Sequence, residues 1–320
     1  MLDRPNPSAP PWALSPPSTG LAAFRSPRWL PGGNLQTIWA ARLARKIDGP
    51  LPVFRRERWE TPDGDFIDVD FAFEGPDDTG RRRPLLVLFH GLEGSSTGHY
   101  SLAMADEARR RGWSYAVPHF RGCSGELNRG PRAYHSGDHE EIGWILTRLR
   151  AREPGPLAGV VGISLGGNAL LCWAAEAGEA ALKVTRAVVS VCSPLDLAAA
   201  GEAIDRGFNR QVYARMFLAT MKPKALAKLA QHPGLFDGER LRAATTLREF
   251  DEVFTGPLHG FAGTDDYWAR ASAKPRLHRI RIPALALNAR NDPFIPAHSL
   301  PRSHEAGRVE LWQPDHGGHV

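Results

Sequence analysis

The apolar positions of this chain follow two rhythms. Short runs at residues 54–59, 67–73, 85–89, 115–117, 159–161, 187–191, 284–288 and 309–311 read as strands. The first two flank the turn Pro62-Asp63-Gly64-Asp65, a hairpin signature. Run 85–89 is apolar throughout, as a strand covered on both faces must be. Residues 100–111, 140–150 and 168–177 carry helical spacing, the first stopped by Gly112. This alternation predicts a mainly parallel sheet with helices on both faces.

Two stretches break the rhythm. Residues 1–33 are rich in Pro, Ser and Gly and predict an irregular arm ahead of a single domain over 34–320. Residues 193–283 hold helical patterns at 210–220, 225–231 and 241–253 but no convincing strand. So long an insertion between two sheet strands is expected to be a helical cap over the site. Its Phe208, Tyr213, Met216, Phe217 and Phe254 are candidates to line an acyl pocket.

Composition narrows the function classes. The chain has 320 residues, 42% of them hydrophobic, enough for a sizeable core. Its net charge of +5 comes from scattered basic residues. The densest groups, at 81–83 and 109–111, lack interleaved aromatics, so no nucleic-acid partner is expected. Three cysteines without paired spacing suggest no disulfide framework. With no signal-peptide pattern and no apolar run of membrane-spanning length, a cytoplasmic location is expected, with peripheral membrane contact left open.

Candidate chemistry begins at Gly162-Ile163-Ser164-Leu165-Gly166, which has the form G-x-S-x-G. Gly94-Ser95-Ser96-Thr97-Gly98 has it too, so the form alone decides nothing. The motif works on a sharp strand-to-helix turn that exposes the serine hydroxyl. Ser164 has a strand before it and a helix after it, and Ser96 has neither in immediate reach. A serine hydroxyl needs a base, and the base an orienting carboxylate. After run 284–288, Asp292 is the one carboxylate in its loop. After run 309–311, Asp315-His316-Gly317-Gly318-His319 offers two histidines as base. His90-Gly91-Leu92-Glu93-Gly94 ends the third strand, where the Leu92 amide can join the Leu165 amide as an oxyanion hole. His90 itself is expected to prop that loop.

Taken together, Asn34-Leu35-Gln36-Thr37, Phe89–Gly94, Phe120-Arg121-Gly122-Cys123-Ser124-Gly125, Tyr134-His135-Ser136-Gly137, Gly162–Gly167, Asn291–Phe294 and His316–Val320 resemble the YheT-like group of the AB-hydrolase superfamily, also called AB hydrolase family four. The resemblance runs from about Asn34 to Val320. It implies an α/β-hydrolase fold, carboxylesterase or lipid-hydrolase activity on a small-molecule ester or lipid, and no cofactor. It also implies Asp292 as the acid and His319 as the base. Two departures stand out. Asn291 occupies a position that is commonly Asp. Relatives also continue into a helix where this chain has only Val320, so that helix is expected to be absent, one flank of the sheet exposed and the His319 loop prone to fray.

The remaining clusters read more plainly. His135, Asp138, His139 and Glu140 match no metal-ligand spacing, and Asp138 fits better as a helix cap. His316 and His319 are not expected to hold a metal, and Cys123 is expected to be structural. The expected function is ester hydrolysis through an acyl-enzyme. The rival readings are an acyltransferase with the same triad and a non-catalytic scaffold that binds ligands.

Overall fold

A computed structural model describes residues 24–44 and 47–320. Most of the Pro-rich arm, residues 1–23, lies outside the described residues. The described part of the arm is irregular and leads into α1 (Gly33–Arg42), which hydrophobic spacing did not reveal.

The sheet has eight strands: β1 (Arg55–Glu60), β2 (Phe66–Ala72), β3 (Leu85–Phe89), β4 (Ser114–Pro118), β5 (Gly159–Ile163), β6 (Val188–Val191), β7 (Ala284–Leu287) and β8 (Val309–Trp312). Their order across the sheet is β1-β2-β4-β3-β5-β6-β7-β8. β1 and β2 form the expected hairpin, and β2 joins β4 antiparallel. From β4 onward every pairing is parallel. The expected strands are all present, with ends shifted by a residue or two.

Parallel pairing needs crossovers, and helices supply them on both faces. On one face α2 (His99–Arg110) packs Ala105 and Ala108 against Leu86, Leu88 and Val161. On the other, α3 (His139–Ala151) and α4 (Leu165–Ala177) pack Ile142, Leu146 and Leu170 against Val87 and Phe89. Alternate side chains of β3 thus enter opposite cores, which is why that run is apolar throughout. On the α2 side Val189, Val191, Leu285 and Leu287 are only half-buried. Asp138 caps α3 by accepting from the Glu141 amide at 3.3 Å, as its sequence position implied.

The interval between β6 and β7 is helical, in detail different from its pattern. α5 (Leu197–Ile204) starts at an Asp196 cap. α6 (Gly207–Asn209), a π turn (Arg210–Ala214) and α7 (Arg215–Gln231) join into one helix, where two were expected. That helix runs through Pro223. Pro223 is exposed, so water can take the carbonyl that the missing N–H leaves free. The third pattern splits instead. α8 (Gly238–Ala243) ends at an extended Ala244, and α9 (Leu247–Phe250) begins at Thr246, whose side chain accepts from the Glu249 amide. A π turn, α10 (Gly256–Leu258), α11 (Thr264–Ala271) and a 3-10 turn (Lys274–Arg279) complete the interval. No helix among the described residues is long and apolar enough to cross a membrane.

Candidate active site

Ser164 is where β5 turns into α4. Its backbone sits at φ 51° and ψ −119°, a strained region for a side chain larger than glycine's. The turn can be this tight because Gly162 and Gly166 lack side chains. A Cβ on Gly162 would stand 2.5 Å from Gly167 Cα, and one on Gly166 2.5 Å from the His90 carbonyl oxygen. These two glycines beside the serine are therefore what lets helix, strand and the β3 loop close on one point.

Asp292 follows β7 and His319 follows β8, and the structure brings both to Ser164. His319 Nδ1–H donates to Asp292 Oδ2 at 2.8 Å, leaving Nε2 to accept from Ser164 Oγ–H at 3.1 Å. Asp292 is fixed in turn by the Phe294 amide at 2.8 Å, and the Phe294 ring lies 4.4 Å from the imidazole. His316, the other candidate base, is exposed and outside this chain of bonds. Ser96 is buried elsewhere and donates to Asp70 at 2.6 Å. The same carboxylate takes His119 and Arg56, so Ser96 has no free base beside it.

The His319 loop, expected to fray, is tied to other segments by hydrogen bonds. α1 holds it. The His319 amide donates to Thr37 Oγ1 at 2.8 Å and the Gly317 amide to Gln36 Oε1 at 2.9 Å. Asn291 Nδ2 donates to the same Gln36 oxygen at 2.9 Å, while Asn291 Oδ1 accepts from the Gly318 amide at 3.0 Å. A carboxylate at 291 could not make that donation, which gives the Asn found there a physical reason. Val320 packs among the residues of the α2-side core.

Leu92 and Leu165 both line the cavity that holds Ser164. Leu165 opens α4, so its amide belongs to the unpaired first turn of a helix. The amides on either side of Leu92 are taken by tyrosines: Gly91 N–H donates to Tyr100 Oη at 3.0 Å and Glu93 N–H to Tyr134 Oη at 3.1 Å. Leu92 is left between them at the cavity. His90 props the loop as expected, accepting from the Phe120 amide at 3.1 Å and facing the Gly91 carbonyl at 2.8 Å. Burial pushes its imidazole down to about 3, so it stays neutral.

Sequence reasoning did not assign the roles of Tyr100, Tyr134, Gln36 and Thr37, which hold the site through one or two polar bonds each, or of Cys192. The Cys192 thiol, Asp292 and His319 offer three atoms within 4.8 Å of one another, a grouping that could suit a metal. Burial, then Asp292, pushes the thiol up to about 12, and the other two atoms already bond each other, so the donor set fits a packed triad better. Cys123 and Cys172 are buried and also pushed up to about 12 by burial, as structural thiols are. In the cluster discounted as a metal site, His135 packs 4.5 Å from the His259 ring and accepts from the Gly137 amide.

The cavity encloses about 160 Å³ and is walled by the helical interval: Leu197 and Ile204 of α5, Phe217 and Met221 of α7, Phe250 and Phe254 beyond α8. Of the five aromatic and apolar residues expected there, Phe217 and Phe254 line it. Phe208 and Met216 face solvent instead, and Tyr213 packs 4.6 Å from the Phe294 ring.

A family model described as alpha/beta hydrolase fold matches residues 84–320. YheT of Escherichia coli (strain K12), provisionally named an esterase, is 41% identical over 302 residues, which cover 93% of this chain and 86% of that protein. The phospholipase ABHD3 of Homo sapiens is 28% identical over 302 residues, covering 91% of this chain and 71% of that one. In three dimensions the chain is similar to the Pyrococcus furiosus esterase Pf2001, with TM-score 0.52 and 16% identity, covering 84% of this chain and 83% of that one. The family match takes in β3 through β8 and so every strand that carries Ser164, Asp292 or His319, and with YheT's high identity it establishes that this chain belongs to the α/β-hydrolase fold family, in the group that contains YheT.

Proposed function

We propose that this chain is a serine hydrolase that cleaves carboxylic esters, with Ser164 as nucleophile, His319 as base and Asp292 as the group that orients it. The observation that carries this reading is the unbroken line Ser164 Oγ, His319 Nε2, His319 Nδ1, Asp292 Oδ2, ending in an apolar cavity. His319 takes the Ser164 proton as Oγ attacks the ester carbonyl. The Leu92 and Leu165 amides stabilise the tetrahedral oxyanion, and the imidazolium then protonates the leaving alcohol. Water, activated by the same imidazole, releases the acid. The names of the esterase and phospholipase relatives support this chemistry. Helices 197–271 act as a cap whose underside receives the acyl group.

The test combines a fluorophosphonate probe with p-nitrophenyl esters. Ser164 should carry the label, and Ser164→Ala should lose both label and turnover. His319→Ala should lose about 10⁴-fold or more in kcat, against less than about tenfold for His316→Ala. Labelling at Ser96, or a dead His316→Ala beside an active His319→Ala, overturns the assignment.

A further inference from the structure

Two helical segments of this molecule, joined to each other by a side-chain bond, turn apolar side chains outward. In α1, Gln36 and Thr37 are turned inward to brace the His319 loop, which leaves Leu35 at 50% exposure. Ile38 is exposed as well, and Trp29, just before the helix, is 60% exposed. In the segment formed by α6, the π turn and α7, Phe208, Val212 and Met216 lie four residues apart and share one exposed face, Phe208 at 56%. Tyr213 Oη–H donates to Asn34 Oδ1 at 2.9 Å, which ties the two segments together. Leu35 and Val212, the chain neighbours of those bonded residues, both open to solvent.

The charge around these side chains is mainly basic, with Glu202 paired to Arg206 at 3.0 Å. Residues 24–44 contain Arg25, Arg28 and Arg42 and no carboxylate, and residues 206–217 contain Arg206, Arg210 and Arg215 and no carboxylate. All six arginines are exposed. Apolar side chains rimmed by arginine suit the boundary between anionic headgroups and acyl chains: the apolar groups enter and the guanidinium groups stay with the phosphates.

We propose that this face docks the protein on an anionic lipid bilayer. The occupant is the bilayer surface, held by Trp29, Leu35, Phe208, Val212 and Met216 with the arginines at the headgroup level. The docked face lies over the site. Tyr213 and Phe217 pack on Phe294, and the Phe294 ring packs on His319. A docked molecule would therefore meet lipid beside its catalytic base.

The experiment is co-sedimentation of the full chain with vesicles of phosphatidylcholine alone and of phosphatidylcholine with 30 mol% phosphatidylglycerol, roughly the anionic fraction that makes surface charge felt. Binding needs no turnover, so its outcome is separate from that of the ester reading. The chain should bind the anionic vesicles and weaken as salt rises. Phe208→Ser and Met216→Ser, made singly and together, should reduce binding about tenfold or more for the pair while p-nitrophenyl acetate hydrolysis and the unfolding temperature stay unchanged. One folded single variant suffices for the comparison. Failure of the full chain to bind, or equal binding by folded variants, overturns the proposal. So does a dimer of the full chain in sedimentation velocity that the same substitutions dissociate, because a second copy would then be the occupant.

Discussion

Asp251 shows how one residue ties the cavity to pH. It lies in the cavity wall and accepts from Trp268 Nε1 at 2.9 Å. Burial pushes its carboxyl up to about 6, with the Thr255 and Trp268 bonds pulling the other way. A carboxyl whose folded-state value is raised binds its proton more tightly when folded. Its contribution is therefore fully present below the unfolded value and is lost as pH rises through about 6. The difference in unfolding temperature between the wild type and Asp251→Asn should change between pH 4 and 7 in that direction, with the wild type losing ground as pH rises. A pH-independent difference would mean that Asp251 is charged in the cavity throughout. The residue scale is also where sequence reading reached furthest. Ser164 and Asp292 were marked by position, after a strand and alone in a loop, whereas position left His316 and His319 open and the family resemblance pointed to His319. Tyr100 carried no such mark, and Tyr134 was marked only as part of a resembling segment, because a tyrosine that accepts an amide looks like any core aromatic until the fold sets it there.

At the scale of elements, legibility followed which side chains an element buries. β3, β5, β6 and β7 were readable because sheet strands covered by helices must be apolar. α1 was not, because its buried side chains are Gln36 and Thr37 and its exposed ones include Leu35 and Ile38, the reverse of the pattern that marks a surface helix. The single helix through Pro223 was read as two for an equally physical reason: proline normally ends a helix, and only its exposed position here lets the chain continue. Thr246 and Glu249 form the T-x-x-E spacing of a helix start, so the break before α9 was visible in the sequence and passed over. The placement of α7 bears on specificity. Phe217 faces the cavity and Met216, one residue before it, faces solvent. Phe217→Ala should raise kcat/KM for hexanoyl relative to acetyl esters by about tenfold, as room for added methylenes usually does, and Met216→Ala should leave the ratio unchanged. Equal effects would place both side chains in the wall.

For the whole molecule, the weakest link between activity and fold is the meeting of distant segments. The sheet from β3 to β7 is held by two extensive cores, whereas the His319 loop is held by a few polar bonds to α1 and Asn291. Regions held by few contacts open at lower free energy than the core. Ester hydrolysis should therefore disappear at lower urea than the far-ultraviolet circular dichroism of the sheet and helices, and Thr37→Val should widen the gap between the two transitions. Coincident midpoints would show that the brace unfolds only with the core. The same brace sets an order of events while the chain is being made. Thr37 and His319 are separated by 282 residues. A growing chain can assemble the turn that bears Ser164 long before residue 319 has been added, and until then Thr37 has nothing to hold and the serine nothing to take its proton. On the proposed mechanism, an immature chain lacking residue 319 carries Ser164 as an inert alcohol, and hydrolysis begins only when segments 282 residues apart have met.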